Sequence, residues 1–173
     1  MINSKKHTIV FDTANKDDIP ELIRLRLAYI IDDYGSINEF ERQAVEEQLP
    51  DYFKRKLGNE LIAFVARAEG QLVAAAYLLI IEKPANPSMP NGLVGEVFSV
   101  FTEREYRGKG ISTRLMNDMI TYAREKRLCH IDLKATDDGY RLYKKLGFEE
   151  KSQKYRDMRL NFELEYKRME ADH

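Results

Sequence analysis

The sequence predicts an α/β domain in which helices flank a mixed sheet. Three observations indicate this class. Two apolar runs flank Glu69-Gly70, the pattern of a β-hairpin. Two long segments, one after Asn15 and one from about Glu39, repeat apolar residues at helical spacing. A further apolar run, Val97 to Phe101, precedes a glycine-rich turn and another amphipathic segment, so helices and strands alternate along the chain.

The first third of the chain predicts a short strand and two helices. The strand covers Thr8 to Phe11, and the first helix follows Asn15, with Asn15 or Asp17 as its cap. A second helix covers about Glu39 to Lys56, where we expect Pro50 to break or kink it into two pieces. The apolar positions of the two helices are Ile19, Leu22, Ile23, Leu27, Ile30 and Ile31, and then Phe40, Ala44, Val45, Leu49, Tyr52 and Phe53.

The middle of the chain predicts three strands. Leu61 to Ala68 and Gln71 to Ile81 form the hairpin, and their length is typical of central strands. Lys83 to Gly92 is rich in Pro and Asn and is predicted to be a loop. The strand Leu93 to Phe101 follows it.

The last part predicts two helices around a short strand. One helix runs from about Lys109 to Lys126, the strand from Cys129 to Ala135, and the other helix from Asp137 to Leu146. The buried stripe expected for the first of these helices is Ile111, Leu115, Met119, Ile120 and Ala123. Gly147 is predicted to be a left-handed C-cap. We expect the alternating segment from Phe148 to Leu164 to complete the sheet, and 165–173 to fray.

Length and composition restrict the class of protein. With 173 residues, of which 43% are hydrophobic and 33% charged, the chain suits one domain over residues 1–173. A net charge of −1 argues against nucleic acid and anionic membranes as partners. The N-terminus has no signal-peptide pattern, no run is long enough to span a membrane, and a lone cysteine suits a reducing compartment. We therefore expect a cytoplasmic protein.

Metal and cysteine chemistry are not expected. His7, His130 and His173 show no ligand spacing. Cys129 and His130 are neighbours along a strand, so their side chains point to opposite faces and do not form a nucleophilic pair.

The segment Tyr106 to Ser112 is the most informative part of the sequence. Gly108 and Gly110 let the backbone fold closely around an anion, and the first free N–H groups of the following helix would point at it. A dinucleotide fold would need a third glycine where Thr113 stands, and a P-loop would need a Lys-Ser/Thr pair where Ile111 follows. The remaining alternatives are a phosphate-binding turn and an ordinary tight turn.

A second block decides between these alternatives. Arg107 to Ile111, followed downstream by Tyr143-Lys144-Lys145-Leu146-Gly147-Phe148, resembles the GNAT superfamily of acetyl-CoA-dependent N-acetyltransferases. The resemblance is close from about Leu93 to Phe148. It implies a mixed, mostly antiparallel central sheet flanked by helices, and acetyl-CoA as cosubstrate. It also suggests a homodimer, for which the sequence adds no evidence of its own.

The resemblance assigns roles to individual residues. Tyr143 corresponds to the general acid that protonates the departing thiolate of coenzyme A, although its spacing also fits a core aromatic. The backbone N–H near Val100 would donate to the thioester carbonyl, and the backbone of the turn would hold the pyrophosphate. The residues expected to bind acetyl-CoA are Val100, Phe101, Thr102, Arg107, Gly108, Lys109, Gly110, Ile111 and Ser112.

Two departures from the family's pattern bear on these roles. Glu105 stands where the family has Gln or Arg, an anion near an anion, which Arg104, Arg107 and Lys109 offer to offset. Thr136 stands where the family often has Asn, so contacts of that Asn do not carry over. A non-catalytic acyl-CoA-binding module therefore remains an alternative to an enzyme, as do acyl transfer to oxygen and a longer acyl chain.

Glu96 is the predicted general base. It is an acid in an apolar strand, and period-two geometry would place it on the face of Phe98 and Val100, where burial would raise its pKa. The alternatives are a solvated carboxylate and a water relay.

The acceptor is expected to be a small-molecule or peptide amine. Acids in and between the first two helices would suit a cationic acceptor, unless they lie on solvated faces balanced by Arg42, Lys54 and Arg55. These acids, with one tyrosine, are Asp32, Asp33, Tyr34, Glu39, Glu41, Glu46 and Glu47.

Overall fold

The structure is a computed structural model, which describes residues 8–151 and 156–162. Its five-stranded sheet has the order β1-β2-β3-β4-β5. The strands are β1 Ile9–Thr13, β2 Leu61–Ala68, β3 Gln71–Glu82, β4 Leu93–Thr102 and β5 Ile131–Asp132. The first four pair antiparallel, and β4 pairs parallel with β5. The predicted mixed, mostly antiparallel sheet is confirmed.

Four helices flank the sheet, and each was expected from the sequence. They are α1 Ile19–Tyr34, α2 Glu39–Lys56, α3 Ile111–Glu125 and α4 Asp137–Lys145. Asn15 caps a short 3-10 turn just before α1 through a hydrogen bond from the Asp17 N–H to its side chain. The helical connection between β4 and β5 through α3 is what allows these two strands to run parallel.

The prediction that Pro50 splits α2 is wrong. The helix runs unbroken through Pro50, with Leu49 and Phe53 buried on one side of it. Asn38 and Glu41 form a reciprocal capping box at its first turn. Burial of an apolar face and a satisfied N-terminus outweigh one missing backbone hydrogen bond.

Strand alternation divides the core between the two faces of the sheet. Leu61, Ala63 and Val65 of β2 face α1 and α2, whereas Ile62 and Phe64 face α3. On α3 the buried positions are Ile111, Leu115, Met116, Met119 and Ala123, so Met116 takes the place predicted for Ile120, which is only half-buried.

The turn at Glu69-Gly70 joins β2 and β3 as predicted, with φ of 50° and 84° at the two residues. Positive φ at both central positions is the condition for a tight hairpin whose twist matches its strands. Gly147, with φ of 92°, is the predicted left-handed cap of α4.

The C-terminal prediction is only partly open to comparison. Residues 148–151 and 156–162 form no strand, so the expected completion of the sheet is not found in them. The remainder of the predicted strand region and the expected frayed tail, 165–173, lie outside the described residues. Among the described helices, none combines the length and apolarity that crossing a bilayer requires.

Candidate active site

A cleft opens where β4 and β5 separate. The two strands pair only at Gly95 with Ile131 and Glu96 with Asp132. β4 continues to Thr102, while β5 ends at Asp132. The resulting cleft has a volume of about 950 Å³ and is lined by residues of α1, β4, the turn before α3, and α4. A concave site of this size, with both polar and aromatic walls, suits a small-molecule ligand.

A bulge at Ser99 interrupts β4 within the cleft wall. The pairing with β3 shifts between Ala75 and Tyr77, and buried Ser99 has a φ of 49°. A bulge places an extra residue on one strand and changes which face the following side chains occupy. Phe98 accordingly packs on the α1 side of the sheet, and Val100 packs on the α3 side.

Two expectations for Glu96 differ from the structure. Glu96 does not share a face with Val100, because the bulge between them breaks the period-two alternation. The side chain of Glu96 lines the cleft but is exposed, so the expected burial is not found.

The glycine turn adjoins the cleft at the start of α3. Gly108 and Gly110 have φ of 74° and 75°, and Gly110 is the N-cap. No side chain caps α3, and its first turn contains no acidic residue. A Cβ at either glycine would meet nothing within 4 Å, so the space over the turn is open. The free N–H groups and positive dipole end of α3 therefore fit an anionic ligand such as a pyrophosphate.

The other residues predicted to bind acetyl-CoA fall into two groups. Val100, Phe101, Thr102, Arg107 and Ser112 line the cleft itself. Lys109 is exposed in the turn, and the Ile111 side chain is buried in the core, which leaves its backbone N–H for a ligand. The hydroxyl oxygens of Thr102 and Ser112 are 2.9 Å apart and connect β4 to α3.

The basic side chains of the turn already have partners. Arg107 donates to the Thr102 carbonyl at 2.8 Å and pairs with Asp32 at 2.9 Å, and Arg104 pairs with the same carboxylate. The two guanidinium groups hold the pKa of Asp32 below its usual value. The Lys109 ammonium donates to the carbonyl oxygen of Glu105. In this arrangement Arg104 and Arg107 offset Asp32, and the backbone N–H groups of the turn are the donors left facing open space.

Tyr143 lies on the α4 wall of the cleft. Its ring packs edge-on against Phe148, with centroids 5.8 Å apart. Burial, with a smaller effect of Tyr29, raises its pKa, so its phenol is protonated at neutral pH. A Cβ at Gly139 would lie 2.8 Å from Cε2 of Tyr143, so the absence of a side chain at Gly139 gives the ring its place.

The α1 wall of the cleft supplies residues that the sequence analysis missed. Arg26 donates a hydrogen bond to the Ser99 hydroxyl, and its guanidinium carbon lies 5.2 Å from the ring centroid of Tyr29. Ser99 was a detectable signal, because it is the polar residue within the run from Val97 to Phe101. Arg26 and Tyr29 gave no such signal, because a basic or aromatic residue on an amphipathic helix is usual.

Two of the acids proposed to attract a cationic acceptor have basic partners, and two more accept hydrogen bonds from neutral groups. Asp32 pairs with Arg104 and Arg107, and Glu46 pairs with Arg42 at 3.5 Å. Glu47 accepts a hydrogen bond from the Gln43 amide at 2.8 Å. Glu41 accepts one from the Asn38 N–H at 3.0 Å. These contacts favour the solvated, balanced faces that were the alternative interpretation.

Cys129 is half-buried, and its thiol donates to Oδ1 of Asn91 at 2.8 Å. His130 approaches Asp132 instead, at 3.7 Å between Nε2 and Oδ2. The predicted strand from Cys129 to Ala135 is shorter than expected, because β5 covers only Ile131–Asp132, and Cys129 and His130 precede it.

Comparison with known proteins identifies the family. A model of the acetyltransferase (GNAT) family matches residues 27–148, a range that includes the separated strands, the bulge, the glycine turn and Tyr143. The chain belongs to the acetyltransferase (GNAT) family. The chain is 38% identical over 61 residues to an uncharacterized N-acetyltransferase of Methanocaldococcus jannaschii. That match covers 34% of this chain and 27% of the relative, so the alignment spans about a quarter of the relative's length.

Solved structures agree with the fold of the acetyltransferase. One is the crystal structure, with acetyl-CoA, of a predicted acetyltransferase from Clostridium acetobutylicum, with a TM-score of 0.77 and 27% identity over 88% of this chain and 96% of that one. Another is a GCN5-related N-acetyltransferase from Ralstonia eutropha JMP134, with a TM-score of 0.72 and 21% identity over 87% and 99% of the two chains. The second likeness concerns the fold alone.

Proposed function

We propose that this acetyltransferase transfers the acetyl group of acetyl-CoA to a primary amine, by direct attack in a ternary complex. The observation that carries the proposal is one cleft bordered by a protonated phenol, a bulged strand and an uncapped helix N-terminus. The similar Clostridium acetobutylicum protein was solved with acetyl-CoA, which supports the same cosubstrate here.

The glycine turn is the proposed binding site for the pyrophosphate of acetyl-CoA. The backbone N–H groups from Gly108 to Ser112 would donate to its oxygens, with the Ser112 hydroxyl beside them, whereas the Arg107 N–H already donates to the Arg104 carbonyl at 3.3 Å. The thioester would then extend along β4, where a preorganised backbone N–H at Val100 would stabilise the oxyanion that develops on the carbonyl.

The chemistry of amide formation explains why a base and an acid are useful. An alkyl amine has a pKa of about 10.4, so neutralising it at pH 7 costs about 4–5 kcal/mol. The amine lone pair forms the C–N bond, and the C–S bond breaks with its electron pair on sulfur. The ammonium group loses one proton before attack, and the nitrogen loses a second proton once the C–N bond has formed. Both protons would pass to solvent through Glu96, the acidic side chain that β4 contributes to the cleft.

Tyr143 is the proposed acid for the thiolate. A thiol has a pKa of about 8.5 and an unperturbed tyrosine about 10, so full proton transfer is uphill by about 2 kcal/mol. The raised pKa of Tyr143 increases this difference and makes the phenol a weaker acid, so we expect it to donate a hydrogen bond to sulfur while the C–S bond breaks and to transfer its proton only once the thiolate has formed. Solvent then returns the proton to the phenolate.

Calorimetry and a thiol-release assay test the proposal together. Desulfo-CoA should bind wild type and Tyr143→Phe with affinities within about threefold of each other, because the phenol is not part of the anion site. Amine-dependent thiol release from acetyl-CoA should fall by about 10²–10³-fold in Tyr143→Phe, the usual contribution of a general acid.

Three outcomes would contradict parts of this proposal. Binding of desulfo-CoA without thiol release from any amine would favour a non-catalytic acyl-CoA-binding module. Release that is undiminished in Tyr143→Phe would remove the acid. Absence of binding would remove the interpretation of the glycine turn.

A further inference from the structure

Two arginines on α1 differ in their partners. Arg24 pairs with Glu21 and with Glu103, and it also donates to the Leu72 carbonyl. Arg26 faces the cleft, and within residues 8–151 and 156–162 no carboxylate forms an ion pair with it. Its hydrogen bond goes to the neutral hydroxyl of Ser99. A guanidinium has five N–H donors, so one hydroxyl leaves most of its capacity unused.

Aromatic rings hold the Arg26 guanidinium in place. It lies 5.2 Å from the ring centroid of Tyr29 and 5.6 Å from that of Phe98. Phe98 in turn stacks on the buried Tyr77, with centroids 5.2 Å apart and planes 8° from parallel. The cation is therefore preorganised on a rigid platform of low polarity, where an oxyanion partner contributes more than it would in water.

The position of Arg26 relates it to the reaction. Ser99 is the residue of the bulge and directly precedes Val100, whose backbone N–H is the proposed donor to the thioester carbonyl. Tyr29, beside Arg26, is near enough to Tyr143 to raise its pKa. An anion bound to Arg26 would therefore lie near the reacting carbonyl and not at the phosphate turn.

The charged groups that line the cleft are mixed in sign. Asp32 is occupied by Arg104 and Arg107. Asp33, on the same helix as Arg26, and Glu41, Glu96 and Asp138 offer negative charge to an approaching ammonium group, while Arg26 and Lys134 offer positive charge. A ligand with both an amine and an oxyanion would match this distribution better than a simple cation would.

We propose that the acceptor of this acetyltransferase is an anionic amine, whose carboxylate or phosphate group binds the Arg26 guanidinium close to the reactive nitrogen. The inference rests on the proposed amine acetylation and names the class of acceptor for it. Arg26 is then the residue that determines the choice of substrate, because it holds a bidentate oxyanion in one geometry.

Matched acceptor pairs test this assignment. L-methionine is compared with L-methioninamide, β-alanine with β-alaninamide, and O-phosphoethanolamine with ethanolamine, at one salt concentration, by thiol release. The carboxylate and phosphate arms distinguish the two sources of the oxyanion. Amides of amino acids have the less basic amine, so a preference for the acid is not caused by easier deprotonation.

Variants of α1 attribute the preference to one side chain. Wild type should favour the anionic member of at least one pair by about 10- to 100-fold in kcat/KM, the usual size of a hydrogen bond to a charged group. Arg26→Gln should reduce this ratio to near unity, and Arg26→Lys should restore part of it. Arg24→Gln is the matched control: it removes an equal charge from the same helix and should keep the wild-type ratio.

Binding of the acetylated product tests whether Arg26 binds an anionic group, even if no acceptor is turned over. N-acetyl-L-methionine and its amide are titrated into the protein holding CoA, and the acid should bind wild type more tightly by at least about tenfold and lose this advantage in Arg26→Gln. If no amine releases thiol, the proposed function fails, while this titration still supports or overturns the anion site. The anion site would be overturned if Arg26→Gln and wild type showed the same ratio of affinities for the acid and the amide. It would also be overturned if Arg26→Gln lost as much affinity for desulfo-CoA as for the acid.

Discussion

The two ends of the cleft are built in different ways. The end proposed to bind the cosubstrate is nearly continuous in sequence, from Thr102 in β4 through the turn to Ser112 in α3. The acceptor end combines Arg26 of α1, Ser99 of β4 and Tyr143 of α4, which are far apart in the chain. The first end is held by local backbone geometry, and the second depends on how distant elements pack.

Hydrogen bonds and ion pairs of charged side chains illustrate the same contrast. In the turn, the Lys109 ammonium donates to the carbonyl of Glu105, four residues earlier. The α1 side is tied to the sheet by long-range pairs, Arg24 with Glu103 and Asp18 with Arg67. Asp32 connects the two ends through Arg107. A change in the turn should therefore act locally, whereas a change under α1 should act through the stability of the whole fold.

Substitution of Gly110 is expected to have the largest effect on one end of the cleft while leaving the other end unchanged. Gly110→Ala forces a residue with a Cβ into a φ of 75°, which costs about 1–2 kcal/mol or shifts the turn. We expect the affinity for desulfo-CoA to fall about tenfold by calorimetry, because a shifted turn misplaces the N–H groups of α3. The ratio of anionic to neutral acceptors should stay at its wild-type value.

Gly58→Ala is the matched control for this change. Gly58 also has a positive φ, of 82°, and open space around its Cβ position, but it lies in the loop after α2. It should lose comparable stability and keep its affinity for desulfo-CoA. Wild-type affinity in Gly110→Ala would show that the turn is not the anion site.

The next effect concerns stability and pH on the α1 side. Arg67 donates two hydrogen bonds of 2.8 Å to the Asp18 carboxylate and lowers its pKa. A carboxyl group whose pKa is lower in the folded state stabilises the fold above its unfolded pKa of about 3.9, and this contribution is lost as the pH falls through the folded value. Asp18→Asn should therefore lower the free energy of unfolding at pH 7 by about 1–3 kcal/mol in urea titrations.

The difference in stability between wild type and Asp18→Asn should shrink as the pH falls below about 4. The Asp18 carboxylate of the wild type becomes protonated first in the unfolded state and then, at lower pH, in the folded state. Asp17→Asn, at the exposed neighbouring position, should change the stability little at either pH. A constant difference between wild type and Asp18→Asn from pH 7 to pH 3 would argue against an ionic origin of this stabilisation.

The smallest effect is expected at Glu96. A general base usually contributes about 10²–10⁴-fold, but an exposed carboxylate at an open cleft is readily replaced by water. Glu96→Gln should therefore lower kcat/KM by less than about tenfold, with an unchanged ratio of anionic to neutral acceptors. A fall of more than about 100-fold would show that Glu96 is an obligatory base, and that the amine must bind next to β4.

The fold was largely readable from local patterns. Helical periodicity located all four helices, and the glycine at position 70 located the hairpin, because both signals arise from residues close in sequence. Pro50 misled the prediction, since burial of Leu49 and Phe53 outweighs a local helix-breaking preference. The C-terminal strand was predicted from alternation alone, and the described residues there do not pair.

The sequence by itself determined the class of fold, the glycine turn at the start of α3, and the position of Tyr143 on a short capped helix. Each depends on backbone preferences that act within a few residues. Only the tertiary structure decided that Arg26 faces the bulge, that Ser99 turns Val100 away from the face of Glu96, and that Asp32 occupies Arg107. These facts depend on strand register and on packing between elements far apart in the chain, for which periodicity within one element gives no information.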